Sequence, residues 1–388
     1  MSKQARSSKD GPIRGLKLTG SPRERGLTHG EEFADEIERN LEIYLDVFEH
    51  KGSDEETVYE QAEQFVPLIE DENEAYAEEM RGVAEGSGLS IEDVTILNAR
   101  YEVMYSAFKQ AADEINEGLP DACTAFGVRN SLSDDGHTYV GQNWDWMPGL
   151  ETFVMDVELE DGADHVVMTE AGIVGGKIGV NEAGLAMTLN GLVTEHDGEE
   201  PFRKPYHVRF REVLASERMD AAIESLIARD RACSANVIVG HESGEMIDLE
   251  LSPETANYLY PDDGLLVHTN HVEDSSSMNS EFERLIPDTL CRAPRLRRLL
   301  TEDADKIGEG DIKEALRDHF DHPNSICRHP NEDDPELDRL ETGGSFVMDL
   351  TEKRLLGTNG PPCEHEYVEF QVGSSSSQPQ GAVDGRHP

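Results

Sequence analysis

Cys123 stands in the run Asp121-Ala-Cys-Thr-Ala-Phe126, where a polar, helix-like segment gives way to an apolar, strand-like one. A thiol at such a junction has two readings. It is either a small, inert strand residue, the usual fate of a lone cysteine, or a nucleophile released by backbone cleavage. In the second case the Cys123 thiolate attacks the Ala122 carbonyl, and water hydrolyses the resulting thioester. The new chain begins at Cys123 with a free α-amine. That amine titrates at about 8 and a thiol at about 8.5, so one can deprotonate the other near neutrality.

Three other patches carry polar groups that such a nucleophile needs. Gly141-Gln-Asn-Trp-Asp-Trp146 places Asp145 at the end of a strand expected to pair with the one starting at Cys123. A carboxylate there can hold and orient an ammonium group. Leu266-Val-His-Thr-Asn-His271 ends in a polar cluster whose Asn270 amide can donate to an oxyanion. Leu189-Asn190-Gly191 closes another strand in the same way. Taken singly, each also reads as a turn former at a strand end. The GxSxG, P-loop, GxGxxG and HExxH signatures are absent. The stretch richest in metal donors is His319, His322, Cys327 and His329. Its spacing matches no standard zinc pattern, and a polar loop after a helix accounts for it, so no metal is expected.

The elements that must position these groups are legible in outline. Phe33, Ile37, Leu41, Tyr44, Leu45 and Phe48 recur at helical spacing, as do Val94, Leu97, Tyr101, Met104 and Phe108. Ser90-Ile-Glu-Asp93 is a capping box for the second set, and Gly86 and Gly88 end the helix before it. After Pro120 the texture turns to strands over 124–129, 137–143, 153–159 and 165–169, with hairpins over 178–189 and 235–251. Helices are expected near 206–228, 281–301 and 311–320, and strands at 265–269, 345–350 and 354–358. A helical start followed by antiparallel strands and intervening helices predicts a layered α+β protein. The Ser/Gln/Pro/Gly-rich end, 374–388, reads as a disordered tail, and residues 1–14 as flexible.

Composition narrows the setting. The 388 residues carry 81 Asp+Glu against 34 Lys+Arg, a net charge of −47. Non-specific nucleic-acid binding and a polybasic membrane anchor both need the opposite sign. The acidity is spread: residues 1–122 hold 29 acids and 12 bases, net −17, and the rest of the chain carries −30. Even acidity with 24 Arg and only 10 Lys suits a halophilic enzyme working in molar salt, where the screening length falls to about 3 Å. No long uncharged apolar run or secretory leader is visible. Five scattered cysteines (Cys123, Cys233, Cys291, Cys327 and Cys363) point to a reducing compartment. A cytoplasmic location is therefore expected.

Asp-Ala-Cys123-Thr124, Gly141-Gln-Asn-Trp-Asp-Trp146 and His268-Thr-Asn-His271 together resemble the isopenicillin N acyltransferase family of autoproteolytic N-terminal-nucleophile enzymes. Arg25-Gly-Leu-Thr-His-Gly30, Glu79-Met-Arg-Gly-Val-Ala-Glu-Gly-Ser-Gly88 and Leu97-Asn-Ala-Arg-Tyr-Glu102 are similar to its propeptide segment. Asp321 to His329, Ser345 to Leu350 and Gly360-Pro-Pro-Cys363 extend the likeness over residues 15 to 370. The resemblance implies a four-layer αββα sandwich and cleavage between Ala122 and Cys123. A helical chain, 1–122, would then stay associated with a second chain whose body is 123–373. It assigns Cys123 as nucleophile, Asp145 as partner of the amine and Asn270 as oxyanion donor. Asn190, Ser345 and Thr124 are looser oxyanion or substrate contacts, Asn190 by similarity to the related bile-salt hydrolases. Those relatives have Arg where this chain has Gln142, and the acyltransferase has Gly at Ala122 and Arg at Phe346, which argues against penicillin-type substrates. The expected function is a cysteine amide hydrolase or acyltransferase acting on linear N-acyl amides or small peptides without a cofactor. An unprocessed, ligand-binding protein of the same fold is the alternative.

Overall fold

The computed structural model describes residues 11–111, 122–228, 230–280, 282–302 and 306–374. Residues 1–10, most of the expected tail (375–388) and Asp121 beside the junction lie outside the described residues. The segment expected to be flexible is already packed by residue 13: Ile13 is buried, and Arg14 pairs with Glu32 and Glu36 at 2.9 and 2.7 Å.

The chain opens with a strand, β1 (Gly15–Leu18), which the sequence does not announce because four residues are too few for a period. Six helices follow: α1 (Pro22–Glu32), α2 (Ala34–His50), α3 (Glu55–Glu72), α4 (Glu74–Ser87), α5 (Ile91–Asn98) and α6 (Arg100–Ala111). Ser21, Asp54, Asn73 and Ser90 cap α1, α3, α4 and α5, each side chain accepting from a backbone N–H of the first turn. Gly88, at φ +76°, closes α4 in the left-handed region. Ile37, Leu41, Tyr44 and Phe48 form the buried face of α2 as their spacing predicts, joined by Asn40 and Val47, while Leu45 is only partly buried. The run Val94 to Phe108, expected as one helix, is divided at Ala99. There the Asn98 side chain donates to Gly172 O and accepts from the Val174 N–H.

Two glycine pairs explain the first propeptide-like motifs. A Cβ on Gly26 would lie 1.9 Å from Glu79 O, and one on Gly82 would lie 2.3 Å from Arg23 O. With Gly30 and Gly86 equally tight, α1 and α4 cross at backbone contact, which only glycine permits. Arg25 and Arg211 clamp Glu79 at 2.8 and 3.0 Å, tying this crossing to the later part of the chain.

Residues from 122 onward build two sheets. One runs β2 (Thr124–Val128), β3 (Tyr139–Trp146), then later β12 (Leu265–His268), β13 (Glu341–Asp349), β14 (Arg354–Gly357) and β15 (Val368–Gln371), in the order β12-β2-β3-β13-β14-β15. The other takes β1, β4 (Thr152–Val157), β5 (His165–Glu170), β6 (Ile178–Asn181), β7 (Leu185–Met187), β9 (Ala235–His241), β10 (Met246–Leu251) and β11 (Ala256–Leu259), with β8 (Asn190–Gly191) pairing β9. All neighbours are antiparallel except β1, which pairs parallel to β4. The sheets face each other closely: a Cβ on Gly240 would meet Val140 at 2.7 Å, and one on Gly127 would meet Met246 Sδ at 2.8 Å.

Helices cover both outer faces. On one side lie α2 and α5, whose Ile37 and Leu97 pack on Gly172, together with α7 (Tyr206–Ala215) and α8 (Met219–Ile227). On the other, Phe126, Val128, Val267 and Val347 meet Leu296, Leu300, Ile312 and Leu316 from α10 (Thr289–Thr301) and α11 (Glu309–Ala315). The short α9 (Phe282–Leu285) precedes α10. The architecture is the expected four-layer αββα sandwich. The single helices expected over 206–228 and 281–301 are each two, broken at Ser216–Arg218 and Ile286–Asp288, and the one at 311–320 ends at Ala315. The 1–122 segment is thus not only helical, since it adds an edge strand and an outer layer. Tyr105 Oη donates to Leu192 O, Trp146 Nε1 donates to Tyr44 Oη, and Arg100 pairs with Glu170 in the sheet it covers.

Candidate active site

Cys123 immediately precedes β2, and both it and Ala122 are fully buried. Pairing of β2 with β3 places Thr124 opposite Asn143, so the junction lies beside the last residues of β3. The Ala122 N–H donates to Asp145 O at 3.4 Å, and Cys123 Sγ lies 4.0 Å from the same oxygen. The Asp145 carboxylate accepts from Thr342 Oγ1 at 2.6 Å and has Arg328 Nε at 3.6 Å. These contacts hold the carboxylate in one orientation.

The Cys123 carbonyl is gripped from two directions. Arg292 Nη1, from the first turn of α10, donates to it at 2.6 Å and to Thr124 Oγ1 at 2.9 Å. Asn190 Nδ2, from β8 of the facing sheet, reaches it at 3.4 Å and also donates to Thr269 O at 2.9 Å. Arg292 Nη2 donates to Asn270 Oδ1 at 3.0 Å, and Asn270 Nδ2 donates to Gly191 O at 3.0 Å. Asn190 Oδ1 is buried with no hydrogen-bond partner among the described residues. Cys123, Thr124, Asn190 and Asn270 therefore form one network, with Asp145 beside it.

Arg292 is the member that sequence reasoning missed. Among Arg292, Arg295, Arg297 and Arg298 it carries no local mark, and only its burial and four partners single it out. Its Nε donates to Asp288 at 2.7 Å, and Asp288 also pairs with Arg328, so a line of alternating charge runs from the Cys123 carbonyl to Asp145. Gln142 is equally informative. Its amide bonds both ways with the Leu189 backbone, at 2.9 and 2.7 Å, stitching the two sheets together one residue from Asn190. Ser345 goes elsewhere. Opposite Asn143 on β13, it faces the covering helices and pairs with Tyr367 Oη at 2.7 Å, so it does not join the Cys123 network.

Behind Asn270, His268 Nε2 lies 3.0 Å from Glu250. Burial opposes a charge on His268, but Asp248 and the Glu250 hydrogen bond outweigh it and raise its pKa to about 9. His271, buried near the His268 and Arg292 charges, falls to about 4 and is neutral. The strand end carrying Asn270 is thus held by an imidazolium–carboxylate pair. A cavity of about 400 Å³ opens beside the junction. Its lining includes the apolar Leu285, Ile286 and Leu340, the Asp288–Arg328 pair, and the acidic Asp321 and Asp334. Ala122 shares an apolar cluster with Ile286 and Leu340, two of the residues lining the cavity.

The family model described as "Acyl-coenzyme A:6-aminopenicillanic acid acyl-transferase" matches residues 131–357. That span contains Asp145, Asn190, Asn270 and Arg292, while Cys123 lies just before it. The acyl-coenzyme A:6-aminopenicillanic-acid-acyltransferase 40 kDa form of Emericella nidulans is 27% identical over 318 residues, covering 80% of this chain and 83% of that protein. Among solved structures, a Caenorhabditis elegans N-acylethanolamine-hydrolyzing acid amidase ortholog matches at TM-score 0.46 and 17% identity, covering 59% of this chain and 93% of its own. A variant conjugated bile acid hydrolase from Clostridium perfringens matches at TM-score 0.45 and 12% identity, covering 67% and 97%. Among the described residues, no helix is long and apolar enough to cross a membrane.

Proposed function

The chain belongs to the acyl-coenzyme A:6-aminopenicillanic acid acyl-transferase family, and on that premise we propose that it is a self-cleaving enzyme transferring or hydrolysing acyl groups through Cys123. The observation that carries this reading is the convergence of Arg292, Asn190, Asn270 and Asp145 on the Ala122–Cys123 junction.

In the first stage the Cys123 thiolate adds to the Ala122 carbonyl carbon. Collapse breaks the Ala122–Cys123 C–N bond, and the nitrogen takes up a proton. Water then hydrolyses the thioester, leaving a carboxylate on Ala122 and the thiol restored. In the second stage the freed α-amine accepts the thiol proton, and Asp145 stabilises the resulting ammonium. The thiolate attacks a substrate amide, and Asn190 and Asn270 supply N–H groups to the oxyanion. The leaving amine takes its proton from the ammonium, and water or an acceptor amine resolves the acyl-enzyme.

Linear N-acyl amides and small peptides suit this site best. Gln142 is spent on the Leu189 backbone and Phe346 is buried in the core, so neither offers a cation for a penicillin-type carboxylate. Leu285, Ile286 and Leu340 in the cavity lining suit an acyl chain, and Asp321 and Asp334 a neutral or cationic amine part. Retention of the 1–122 chain after cleavage rests on the Arg25–Glu79–Arg211 clamp and the Arg100–Glu170 pair across the two segments. The test is a panel of N-acyl amines, N-acyl amino acids and short peptides in high salt, scored by amine release and by the mass of the acylated chain. Release by the wild type and none by Cys123→Ala is expected. Equal release by Cys123→Ala overturns the proposal.

A further inference from the structure

The loop that follows α11 and the segment after β14 converge on one point at the surface. His319 Nε2, Cys327 Sγ, His329 Nε2 and Cys363 Sγ all lie within 4.8 Å of one another. The individual separations are 3.1 Å between the two imidazole nitrogens, 3.5 Å between the sulfurs, and 3.4 and 3.9 Å from His329 Nε2 to Cys363 and Cys327. A tetrahedral zinc site with ordinary bond lengths has edges of about 3.3 Å (N···N), 3.8 Å (S···S) and 3.6 Å (S···N). These four of the six separations fall within about 0.3 Å of their edges, and the two from His319 to the sulfurs lie within 4.8 Å. A plain hydrogen-bonded cluster does not require four ligand atoms to share one centre. Among the described residues, no other His, Cys, Asp or Glu group of three or more does so.

We propose that His319, Cys327, His329 and Cys363 form a structural zinc site. The donor set of two thiolates and two imidazoles is the one zinc takes in closed sites, and with all four positions filled by protein no place is left for a substrate. The supporting contacts fit as well. His329 turns Nδ1 toward Glu364, 3.7 Å away, the outer carboxylate that commonly orients a ligating imidazole. The sequence hides the site because Cys363 lies 36 residues beyond Cys327. Arg328 stands between two of the ligands, so the ion would pin the loop that holds this guanidinium against Asp145 and Asp288.

The test is elemental analysis of the full chain after exposure to equimolar zinc and gel filtration, together with cobalt substitution. Expected are about one zinc per chain and the intense visible d–d bands and thiolate charge-transfer band of tetrahedral cobalt. In Cys327→Ser/Cys363→Ser, metal content should fall at least tenfold. His319→Ala, a milder change at an exposed position, should weaken binding and shift the cobalt bands. Absence of bound metal with both thiols freely titratable overturns the site. A Cys327–Cys363 disulfide, seen as a loss of two hydrogens by mass, does the same, as does undiminished metal in the double variant.

Discussion

Arg292→Met would remove the guanidinium that joins the parts of the site while keeping most of the side-chain volume. The lost contacts are to the Cys123 carbonyl, Thr124 Oγ1, Asn270 Oδ1 and Asp288. Asp288 keeps Arg328, so no carboxylate is stranded, but the Cys123 carbonyl is left with the long Asn190 contact. With no charge left unpaired, the loss of this charge-assisted bond to the buried Cys123 carbonyl costs about 1.5–3 kcal/mol, which lowers Tm by roughly 2–4 °C in a chain of this size. The Cys123 carbonyl is not itself attacked, so the effect on rate comes through misplacement of the thiol and Asn270, where a shift of about 1 Å costs on the order of 10². The assay is electrophoresis of freshly refolded protein over time, with circular dichroism to confirm folding, followed by amine release. Arg292→Lys keeps the charge but cannot span three acceptors with a single ammonium, so it should fall between wild type and Met. A folded Arg292→Met that cleaves and turns over at the wild-type rate would refute the role assigned to this network.

Three other outcomes are open to measurement. Gly82→Ala places a methyl 2.3 Å from Arg23 O and should force α1 and α4 apart, costing about 3 kcal/mol or more by chemical denaturation; an unchanged midpoint contradicts the backbone-contact crossing. His268, raised to about 9, contributes stability that is complete below its ordinary value of 6.5 and is lost as pH rises through about 9. That loss is worth about 3 kcal/mol, and His268→Asn should flatten this part of a denaturation-midpoint series against pH. Dialysis from molar to low salt should reduce activity and loosen the two product chains, since −17 and −30 then repel unscreened; full activity at low salt contradicts the halophilic reading of the composition.

What the sequence reveals depends on how local the cause is. Capping boxes, the α2 stripe and the hairpins are set by neighbours within a few residues, and they appear where the periodicity puts them. Cys123, Asp145, Asn190 and Asn270 stand out in the sequence because each lies beside a visible apolar run. Features set by distant partners are not. β1 exists because β4 offers it an edge, and Asn98 at the end of α5 is fixed by Gly172 and Val174, 74 and 76 residues away. Arg292 is one arginine among several until Cys123, Thr124 and Asn270 surround it. Cys363 becomes a ligand only when β14 returns the chain to the loop after α11. Ser345 shows the converse error: a residue in a familiar motif whose strand parity turns it toward Tyr367 and away from the thiol.

Mass spectrometry and N-terminal sequencing of protein kept in high salt test the central claim most directly. The account predicts two chains, of 122 and 266 residues, with the second beginning Cys123-Thr-Ala-Phe, and a single uncleaved chain for Cys123→Ala. An active wild type that remains one chain of 388 residues, or whose new terminus lies anywhere other than Cys123, contradicts it.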